Sequence, residues 1–291
     1  MRLRRTMQFI PGNNPGMIQN GGVLGADSII LDVEDAITLR EKDAARLLIA
    51  SALRSVNFYR SEKVVRINSI DTFAQQDINL IVPCGPDAIL LPKTNCAADV
   101  HQVVAWLKAV ERPGQTPVKL IPQIETPQGL IEAYSIAVAD PRVEALALGA
   151  EDYTAILSAQ RTKEGAEILT MRMIVVNAAA AAGIQSIDTP FTDVNDEEGL
   201  MRDTALAKQL GFKGKLTISP RHIDIIHQMF SPSLKEVEWA LKVINGLKQA
   251  EKEGAGVITV DGKMVDKPIV DRAERVVQLA RTLGLVKEAV K

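Results

Sequence analysis

Val118-Lys-Leu-Ile-Pro-Gln-Ile124 is a short apolar run typical of a buried strand, and Glu125-Thr-Pro127 follows it directly. Proline at the first turn after a threonine indicates the start of a helix, and the helical pattern continues to residue 139. A buried strand followed at once by a helix is the repeating unit of a parallel sheet. This segment therefore predicts an α/β fold.

The same alternation extends outward from this pair in both directions. Further apolar runs predict strands at residues 7–10, 28–33, 63–68, 87–92, 143–148, 183–188 and 213–218. Helical patterns lie between them, at residues 41–58, 73–82, 98–111, 127–139, on to 182, at 196–210 and from 221. Eight such units predict a (β/α)8 TIM barrel, which usually takes about 250 residues. A doubly wound open sheet competes, but no Gly-x-Gly-x-x-Gly follows the first strand, which weakens its dinucleotide-binding version.

The tail does not continue this alternation. It predicts an amphipathic helix at residues 233–253, a break at Gly254-Ala-Gly256, a hairpin turning at Asp261-Gly262, and a last helix at 269–285. We therefore expect a barrel domain of residues 1–232 and a C-terminal helix-hairpin-helix extension of residues 233–291. Apolar side chains recur at helical spacing in the first of these helices and must be covered. A neighbouring subunit can cover them, so we expect a homo-oligomer with the extension between subunits.

Composition excludes several classes of protein. The 291 residues carry 34 Lys and Arg against 36 Asp and Glu, a net charge of −2, so a nucleic acid is not expected as the main partner. Two cysteines make no disulfide framework and fit a reducing compartment. No run approaches the ~18 apolar residues of a membrane span, and the N-terminus lacks a signal peptide's apolar region. We expect a soluble cytoplasmic protein.

Acidic side chains gather where the predicted strands end. In a barrel, all carboxyl ends of strands meet at one rim, where active sites lie. Carboxylates gathered at one mouth repel each other unless a cation sits between them. Oxygen ligands without His or Cys suit Mg²⁺ or Mn²⁺, and a zinc site is not expected from only three histidines. The strand ends that carry these groups are Asp32-Val-Glu34-Asp35, Arg66 to Asn68, Pro92-Lys93, Glu125, Glu151-Asp152 and Asp188.

Each candidate also has an ordinary structural explanation. Glu34-Asp35, Glu125 and Glu151-Asp152 all precede or open helices, where acids are favourable caps. Arg66 interrupts the apolar strand Val64-Val-Arg-Ile67, and a buried arginine needs a partner. That partner is either a structural carboxylate or an anionic substrate held by two hydrogen bonds. Composition alone makes Asp266 a turn residue.

Ten segments, in order over nearly the whole chain, resemble a known group of enzymes. The chain is similar to citrate lyase beta subunits, within the wider citrate lyase-like and malyl-CoA lyase-like enzymes of the HpcH/HpaI aldolase superfamily. The resemblance implies a (β/α)8 barrel, Mg²⁺ dependence and carbon–carbon bond cleavage. The segments are Phe9-Ile-Pro-Gly-Asn-Asn14, Leu31-Asp-Val-Glu-Asp-Ala-Ile37, Arg40-Glu-Lys-Asp43, Val65-Arg-Ile-Asn68, Leu91-Pro-Lys-Thr94, Ile124-Glu125, Asp193-Val-Asn-Asp-Glu-Glu-Gly199, Ala207-Lys-Gln-Leu-Gly-Phe-Lys-Gly-Lys215, Ser219-Pro-Arg-His222 and Gly262-Lys-Met-Val-Asp266.

The resemblance also implies roles for single residues. Glu125 and Asp152 correspond to the Mg²⁺ ligands of such enzymes, and Arg66 to the arginine that contacts substrate. Asp266 corresponds to an aspartate that reaches a neighbouring subunit's site, and we expect it to handle the proton of the enolate carbon.

Mg²⁺-dependent cleavage of a carbon–carbon bond suggests roles for the other rim residues. We expect Glu34 and Asp35 to hold metal-bound waters or carry protons. Asn13, Asn14 and Lys93 are expected to contact the phosphates or pantetheine arm of the substrate's carrier.

The expected reaction is Mg²⁺-dependent cleavage of a citryl thioester on acyl carrier protein, giving oxaloacetate and an acetyl thioester. The expected partners are citrate lyase alpha and gamma subunits and further copies of this chain, as a trimer or hexamer. Glu125-Thr-Pro-Gln-Gly129 and Gly149-Ala-Glu-Asp152 look more like lyases for free malyl-CoA or citramalyl-CoA, which keeps those substrates as the alternative. A pyruvate-dependent aldolase that lacks any thioester is a second alternative. A non-catalytic scaffold subunit is a third, and Arg66, Glu125 and Asp152 argue against it, because a scaffold has no use for a metal pair beside an arginine.

Overall fold

Eight parallel strands close into a barrel in the computed structural model, which describes residues 2–252, 258–261 and 263–286. Each strand pairs with the next, and β8 returns to β1 through Thr6↔Lys215 to Gln8↔Thr217. This last pairing decides for a barrel against an open sheet, so the predicted fold is confirmed. The strands are β1 Thr6–Pro11, β2 Ser28–Asp32, β3 Glu62–Arg66, β4 Ala88–Leu91, β5 Lys119–Ile124, β6 Ala145–Leu148, β7 Gln185–Asp188 and β8 Gly214–Thr217.

Helices follow the strands and surround the barrel. They are α1 Pro15–Asn20, α2 Lys42–Ser55, α3 Ala74–Ile81, α4 Ala97–Val110, α5 Pro127–Ile131, α6 Ala133–Ala137, α7 Ala150–Ile156, α8 Leu169–Ala182, α9 Glu197–Leu210 and α10 Ile223–Phe230. The tail adds α11 Leu234–Lys252, the antiparallel strands β9 Ile258–Val260 and β10 Lys263–Val265, and α12 Lys267–Thr282. No helix in the described part of the chain is long and apolar enough to cross a membrane.

Alternation along the strands fills the barrel with apolar side chains. Alternate residues of each strand point inward, and ten of them form one buried cluster against which Phe9 packs. The cluster is Met7, Ile30, Val64, Ala88, Leu90, Ile121, Ala145, Ala147, Ile187 and Leu216. Because this packed core plugs the barrel, polar chemistry is confined to the rim, where the strands end.

Two predicted helices are interrupted. The helix expected over residues 127–139 is split between α5 and α6, since Glu132 has ψ near 8° instead of a helical value. The Ser135 hydroxyl donates a hydrogen bond to the Glu132 carbonyl at 2.8 Å and so takes up an acceptor at this break. The helical pattern before residue 182 is also interrupted between α7 and α8, where Ser158 and Gly165 have positive φ.

The described residues fall into two compact units, and the boundary along the sequence lies between His227 and Gln228. The sequence placed the boundary five residues later, between 232 and 233. In the second unit α11, α12 and the hairpin bury a small core of their own, formed by Ala240, Val243, Val265, Val270, Ala273 and Val277.

Leu241, Ile244 and Leu247 of α11 pack against the core of this second unit. The unit itself therefore covers apolar positions for which the sequence invoked a neighbouring subunit, and a homo-oligomer stays a prediction. The predicted hairpin is present, whereas the expected helix break at residues 254–256 and Gly262 of its turn lie outside the described residues.

Candidate active site

A cavity of about 350 Å³ opens at the carboxyl ends of the strands. Its wall combines apolar side chains from β1 and β8 with acidic groups and one arginine from β2, β3 and the segments after β5 and β6. The polar lining residues are Asp32, Asp35, Arg66, Gln123, Glu125, Glu151, Asp152 and Thr189. The structure therefore gathers at one rim most of the groups that the sequence placed there.

Asp32 and Arg66 form the rigid base of this rim. The two residues are paired in register across β2 and β3. Arg66 donates from Nε to Asp32 Oδ1 at 2.7 Å and from Nη2 to Asp32 Oδ2 at 2.6 Å. This two-point contact fixes the plane of the guanidinium, which also lies 4.8 Å from the centre of the Phe9 ring. A structural carboxylate thus holds one edge of Arg66.

The other edge of Arg66 faces the next two acids. Its Nη1 lies 3.0 Å from Glu34 Oε2 and 4.0 Å from Asp35 Oδ2. Burial alone would lower the pKa of Arg66, but the hydrogen bonds and charges of Asp32 and Glu34 raise it above its ordinary value. Arg66 is therefore a permanent cation whose Nη1 is directed toward the acids of the rim.

Glu34 is buried, and cations hold both of its oxygens. Its Oε1 accepts a hydrogen bond from Lys93 Nζ at 2.5 Å, while Oε2 faces Arg66. Burial raises the pKa of Glu34 above its ordinary value, against the lowering effect of Arg66 and Lys93. Asp35 differs, because its side chain is 56% exposed and lines the cavity. Of the two acids, Asp35 is the one open to a ligand.

Glu125 is a deeply buried acid of the cavity, with 1% of its surface exposed. Its Oε1 accepts a hydrogen bond from the backbone N–H of Lys93 at 2.6 Å, and its Oε2 accepts one from Gln123 Nε2 at 2.5 Å. Burial, followed by the negative charges of Asp152 and Glu34, raises the pKa of Glu125 to about 8. A carboxylate in this position needs a cation to remain ionised at neutral pH.

Asp152 lies in the first turn of α7 and lines the same cavity as Glu125. Gly149 lets the two segments approach, because a Cβ there would stand 2.6 Å from Glu125 Cβ and would overlap Glu125 Oε2. Among the described residues, no group of three or more His, Cys, Asp or Glu is arranged to hold a metal. Two carboxylates still suit Mg²⁺, which commonly keeps several water ligands.

The capping explanation fails for Glu34, Asp35 and Glu125. Thr126 caps α5 by accepting a hydrogen bond from the N–H of Gly129 at 3.0 Å, so Glu125 is not the cap. The residue before α2 is Glu41, well after Glu34 and Asp35. Glu151 is bonded to Arg161 at 2.9 Å. Helix capping therefore does not explain Glu34, Asp35 and Glu125, whereas Glu151 and Asp152 lie in the first turn of α7, where acids are favourable.

Other predicted contact residues are engaged elsewhere. Asn14 caps α1 by accepting from the N–H of Met17 at 3.0 Å, and Asn13 donates to Glu41 Oε2 at 2.8 Å. The Lys93 ammonium binds Glu34, so it is not a free cation for a phosphate. Asp266 lies exposed in the second unit, where it caps α12. Contact of these residues with a substrate stays a prediction.

Comparison with known proteins identifies the family. The sequence profile of the HpcH/HpaI aldolase/citrate lyase family matches residues 5–220. The chain is 45% identical over 289 residues to the citrate lyase subunit beta of Leuconostoc mesenteroides subsp. cremoris, covering 98% of this chain and 96% of the relative.

The chain belongs to the HpcH/HpaI aldolase/citrate lyase family.

Two other members of the family bear on the chemistry. The mitochondrial citramalyl-CoA lyase of Homo sapiens is 31% identical, over 96% of this chain and 86% of the relative. The crystal structure of the protein CitE from Mycobacterium tuberculosis, in complex with magnesium, acetoacetate and coenzyme A, has a TM-score of 0.79 and 29% identity. It covers 97% of this chain and all of that one.

The contacts of two residues that shape the site in this member of the family were not predicted from the sequence. Asp32 is among the predicted rim acids, but the sequence does not predict that it holds Arg66. Gln123 looked like an ordinary strand residue, although it binds Glu125. An inward-facing polar residue near a strand's end is the signal that would have found Gln123.

Asp188, in contrast, is predicted as a rim acid, but structural ion pairs occupy its carboxylate. It accepts hydrogen bonds from Arg172 at 3.0 and 2.9 Å and from Lys215 at 2.6 Å. Both cations are buried, and Asp203 pairs with each of them. This closed cluster leaves Asp188 no role in binding a ligand.

Proposed function

We propose that this protein is a Mg²⁺-dependent carbon–carbon lyase that cleaves a citryl thioester to oxaloacetate and an acetyl thioester, as the beta subunit of a citrate lyase. The observation that carries the proposal is the buried Glu125 carboxyl beside Asp152, in the cavity that Arg66 also lines. The identity of 45% to a citrate lyase subunit beta supports the choice of substrate.

The bond that breaks joins the hydroxyl-bearing carbon of the citryl group to the α-carbon of the thioester. The hydroxyl loses its proton and becomes the carbonyl of oxaloacetate. The bond electrons move onto the thioester as an enolate, and its α-carbon then takes up a proton to give the acetyl thioester. Both products form without an oxidant or a further reactant.

Glu125 and Asp152 would hold the magnesium ion. The fit rests on Glu125, whose burial and acidic neighbours keep it protonated without a cation. Magnesium bound there supplies a Lewis acid for the oxygens of an α-hydroxycarboxylate. Gln123 and the Lys93 backbone orient the Glu125 carboxylate, because each holds one of its oxygens and leaves a second lone pair free.

Arg66 stabilises negative charge that develops during cleavage. Asp32 fixes its orientation before substrate binds, so little reorganisation is needed in the reaction. Asp35 is the acceptor of the hydroxyl proton, since it is exposed to the cavity, whereas Glu34 is held by Lys93 and Arg66. The enolate α-carbon receives its proton from Asp266 of a neighbouring subunit, a role carried by resemblance.

The thioester substrate is carried by acyl carrier protein, and we propose citrate lyase alpha and gamma subunits as partners in the cytoplasm. A shared site between copies of the chain is testable by mixing two inactive variants, Asp266→Ala and Glu125→Gln. Mixed oligomers would contain some sites with both native residues, so partial recovery is expected. No recovery, with mixed oligomers verified by mass, would contradict a role for Asp266 in a neighbour's site.

The substrate is tested by comparing kcat/KM for four thioesters, namely citryl-carrier protein, citryl-CoA, malyl-CoA and citramalyl-CoA. We expect the citryl group to be preferred by about tenfold or more, because hydrogen-bonding sites discriminate strongly between substrates. The 31% identity to a citramalyl-CoA lyase makes that thioester the second candidate. Preference for citramalyl-CoA or malyl-CoA would keep the lyase chemistry and overturn the proposed substrate.

A further inference from the structure

Lys42 is the first residue of α2, and its ammonium group binds three uncharged oxygens. Its Nζ donates to the backbone carbonyls of Val33 and Glu34, each at 2.9 Å, and to Asn68 Oδ1 at 2.6 Å. The ion pairs found among the described residues do not include Lys42. All three protons of the ammonium are thus matched by acceptors that carry no charge of their own.

Two of these acceptors belong to the loop that carries Glu34 and Asp35 into the cavity. β2 ends at Asp32, so the carbonyls of Val33 and Glu34 lie beyond its regular ladder. On its other side the loop is fixed by Asp32, which accepts hydrogen bonds from the N–H groups of Glu34 at 2.9 Å and Ala36 at 3.3 Å. Lys42 therefore completes a two-sided grip on this loop.

The third acceptor connects the grip to the helical layer. Asn68 donates from its backbone N–H and from Nδ2 to Asp77 Oδ2, at 2.8 and 2.7 Å. Asp77 is fully buried on α3, and its Oδ1 accepts from Arg46 Nε of α2 at 2.8 Å. Asn68 is consequently held in place from α2 and α3, and Lys42 transfers that constraint to the loop.

We propose that Lys42 is a positioning residue for the lyase reaction, which clamps the loop after β2 so that Glu34 and Asp35 face Arg66. This inference rests on the proposed function, because it assigns the loop's acids a role in turnover. Lys42 does not line the cavity and acts only through the residues it binds. A displacement of about 1 Å in such a group costs on the order of 100-fold in rate.

Replacement of Lys42 by methionine keeps the length of the side chain and removes the ammonium. We expect kcat to fall about 10- to 100-fold while KM changes by less than about threefold. The reason is that proton transfer depends on the exact position of the two acids, whereas binding of the substrate depends on it less. Lys42→Arg should be nearly as slow, because a planar guanidinium cannot direct three donors from one atom.

Chemical rescue separates the positioning role from general damage. Lys42→Cys, alkylated with 2-bromoethylamine, regains an ammonium at nearly the same reach, and we expect it to recover most of the lost kcat. Wild type treated with the same reagent controls for Cys84 and Cys96. Lys63→Cys is the matched control variant, because Lys63 Nζ also binds a backbone carbonyl, that of Gly85 at 2.9 Å, without contacting the catalytic loop. Its kcat should not change.

Hydrogen exchange tests the clamp independently of activity. The N–H groups of Val33 and Ile37 are bonded to Arg66 O at 3.0 Å and Glu34 O at 3.1 Å. In Lys42→Met, a peptide covering residues 33–37 should exchange about tenfold faster or more, while strand β5 keeps its protection. Unchanged exchange at 33–37, unchanged kcat, or a loss of kcat that alkylation does not restore would overturn the clamp. A wild-type enzyme that cleaves no thioester would instead refute the proposed function, and exchange would still decide the clamp.

Discussion

Glu125→Gln is expected to make the metal-free protein more stable at neutral pH while abolishing its activity. The pKa of Glu125 is raised from 4.5 to about 8 by burial and by the charges of Asp152 and Glu34. Between these two values the folded protein holds a proton that the unfolded chain has lost. The contribution of Glu125 to the free energy of unfolding is therefore full below pH 4.5 and falls as the pH rises toward 8.

The slope is about 1.4 kcal/mol for each pH unit, so about 2 kcal/mol is lost between about pH 5.5 and pH 7. Glutamine does not titrate, so the variant lacks this contribution to the pH dependence of the unfolding free energy. The glutamine side chain also fits at position 125. Gln123 Oε1 is buried without a hydrogen-bond partner, and after the Gln123 amide group rotates, this oxygen can accept a hydrogen bond from the new amide. The variant should thus keep both hydrogen bonds of the native carboxyl group.

The assay is urea unfolding in EDTA at several pH values, with the difference between variant and wild type plotted against pH. The difference should grow in favour of the variant as pH rises. Added Mg²⁺ should stabilise wild type at about pH 8 and not the variant, since metal binding requires the ionised carboxylate. Parallel pH profiles for the two proteins, or a wild type that gains on the variant with rising pH, would refute this account of Glu125.

Three further predictions concern the rest of the rim. Arg66→Lys should lose activity nearly as severely as Arg66→Ala, by about 100-fold or more in kcat, because lysine cannot reproduce the two-point contact held by Asp32. Kinetics and thermal melts of both variants test this, and the lysine variant should be more stable than the alanine variant but equally slow. Gly149→Ala should weaken Mg²⁺ binding, measured by calorimetry, because its Cβ displaces the Glu125 carboxylate; wild-type affinity would contradict this. Thr126→Ala should cost about 1 kcal/mol in unfolding free energy through loss of the α5 cap, and an unchanged melt would contradict it.

The barrel was predictable because its strands are short, apolar and regularly separated by helices. The rim was predictable in outline, since Glu125, Asp152 and Arg66 each stand at or just after the end of a strand. The break at Glu132 was not, because a helical pattern continues through it and only the backbone geometry marks the interruption.

Pairings between distant residues lay beyond the sequence for a physical reason. Asp188 and Asp32 both end buried strands, yet the first is neutralised by Arg172 and Lys215, whereas the second orients Arg66 toward the cavity. The difference depends on which cations the neighbouring strands and helices bring near, and local pattern does not contain that information. Lys93 is similar, because its contact with Glu34 joins residues far apart in sequence.

The most direct test of the proposed reaction measures oxaloacetate released from citryl-CoA by this chain alone. Oxaloacetate is followed by NADH oxidation with malate dehydrogenase, in Mg²⁺ and after chelation by EDTA, for wild type and Asp152→Asn. We predict turnover by wild type in Mg²⁺, loss in EDTA, restoration by added Mg²⁺, and little activity of the variant at any Mg²⁺ concentration. Full turnover in EDTA, or a variant as active as wild type, would contradict a lyase that works through Glu125 and Asp152.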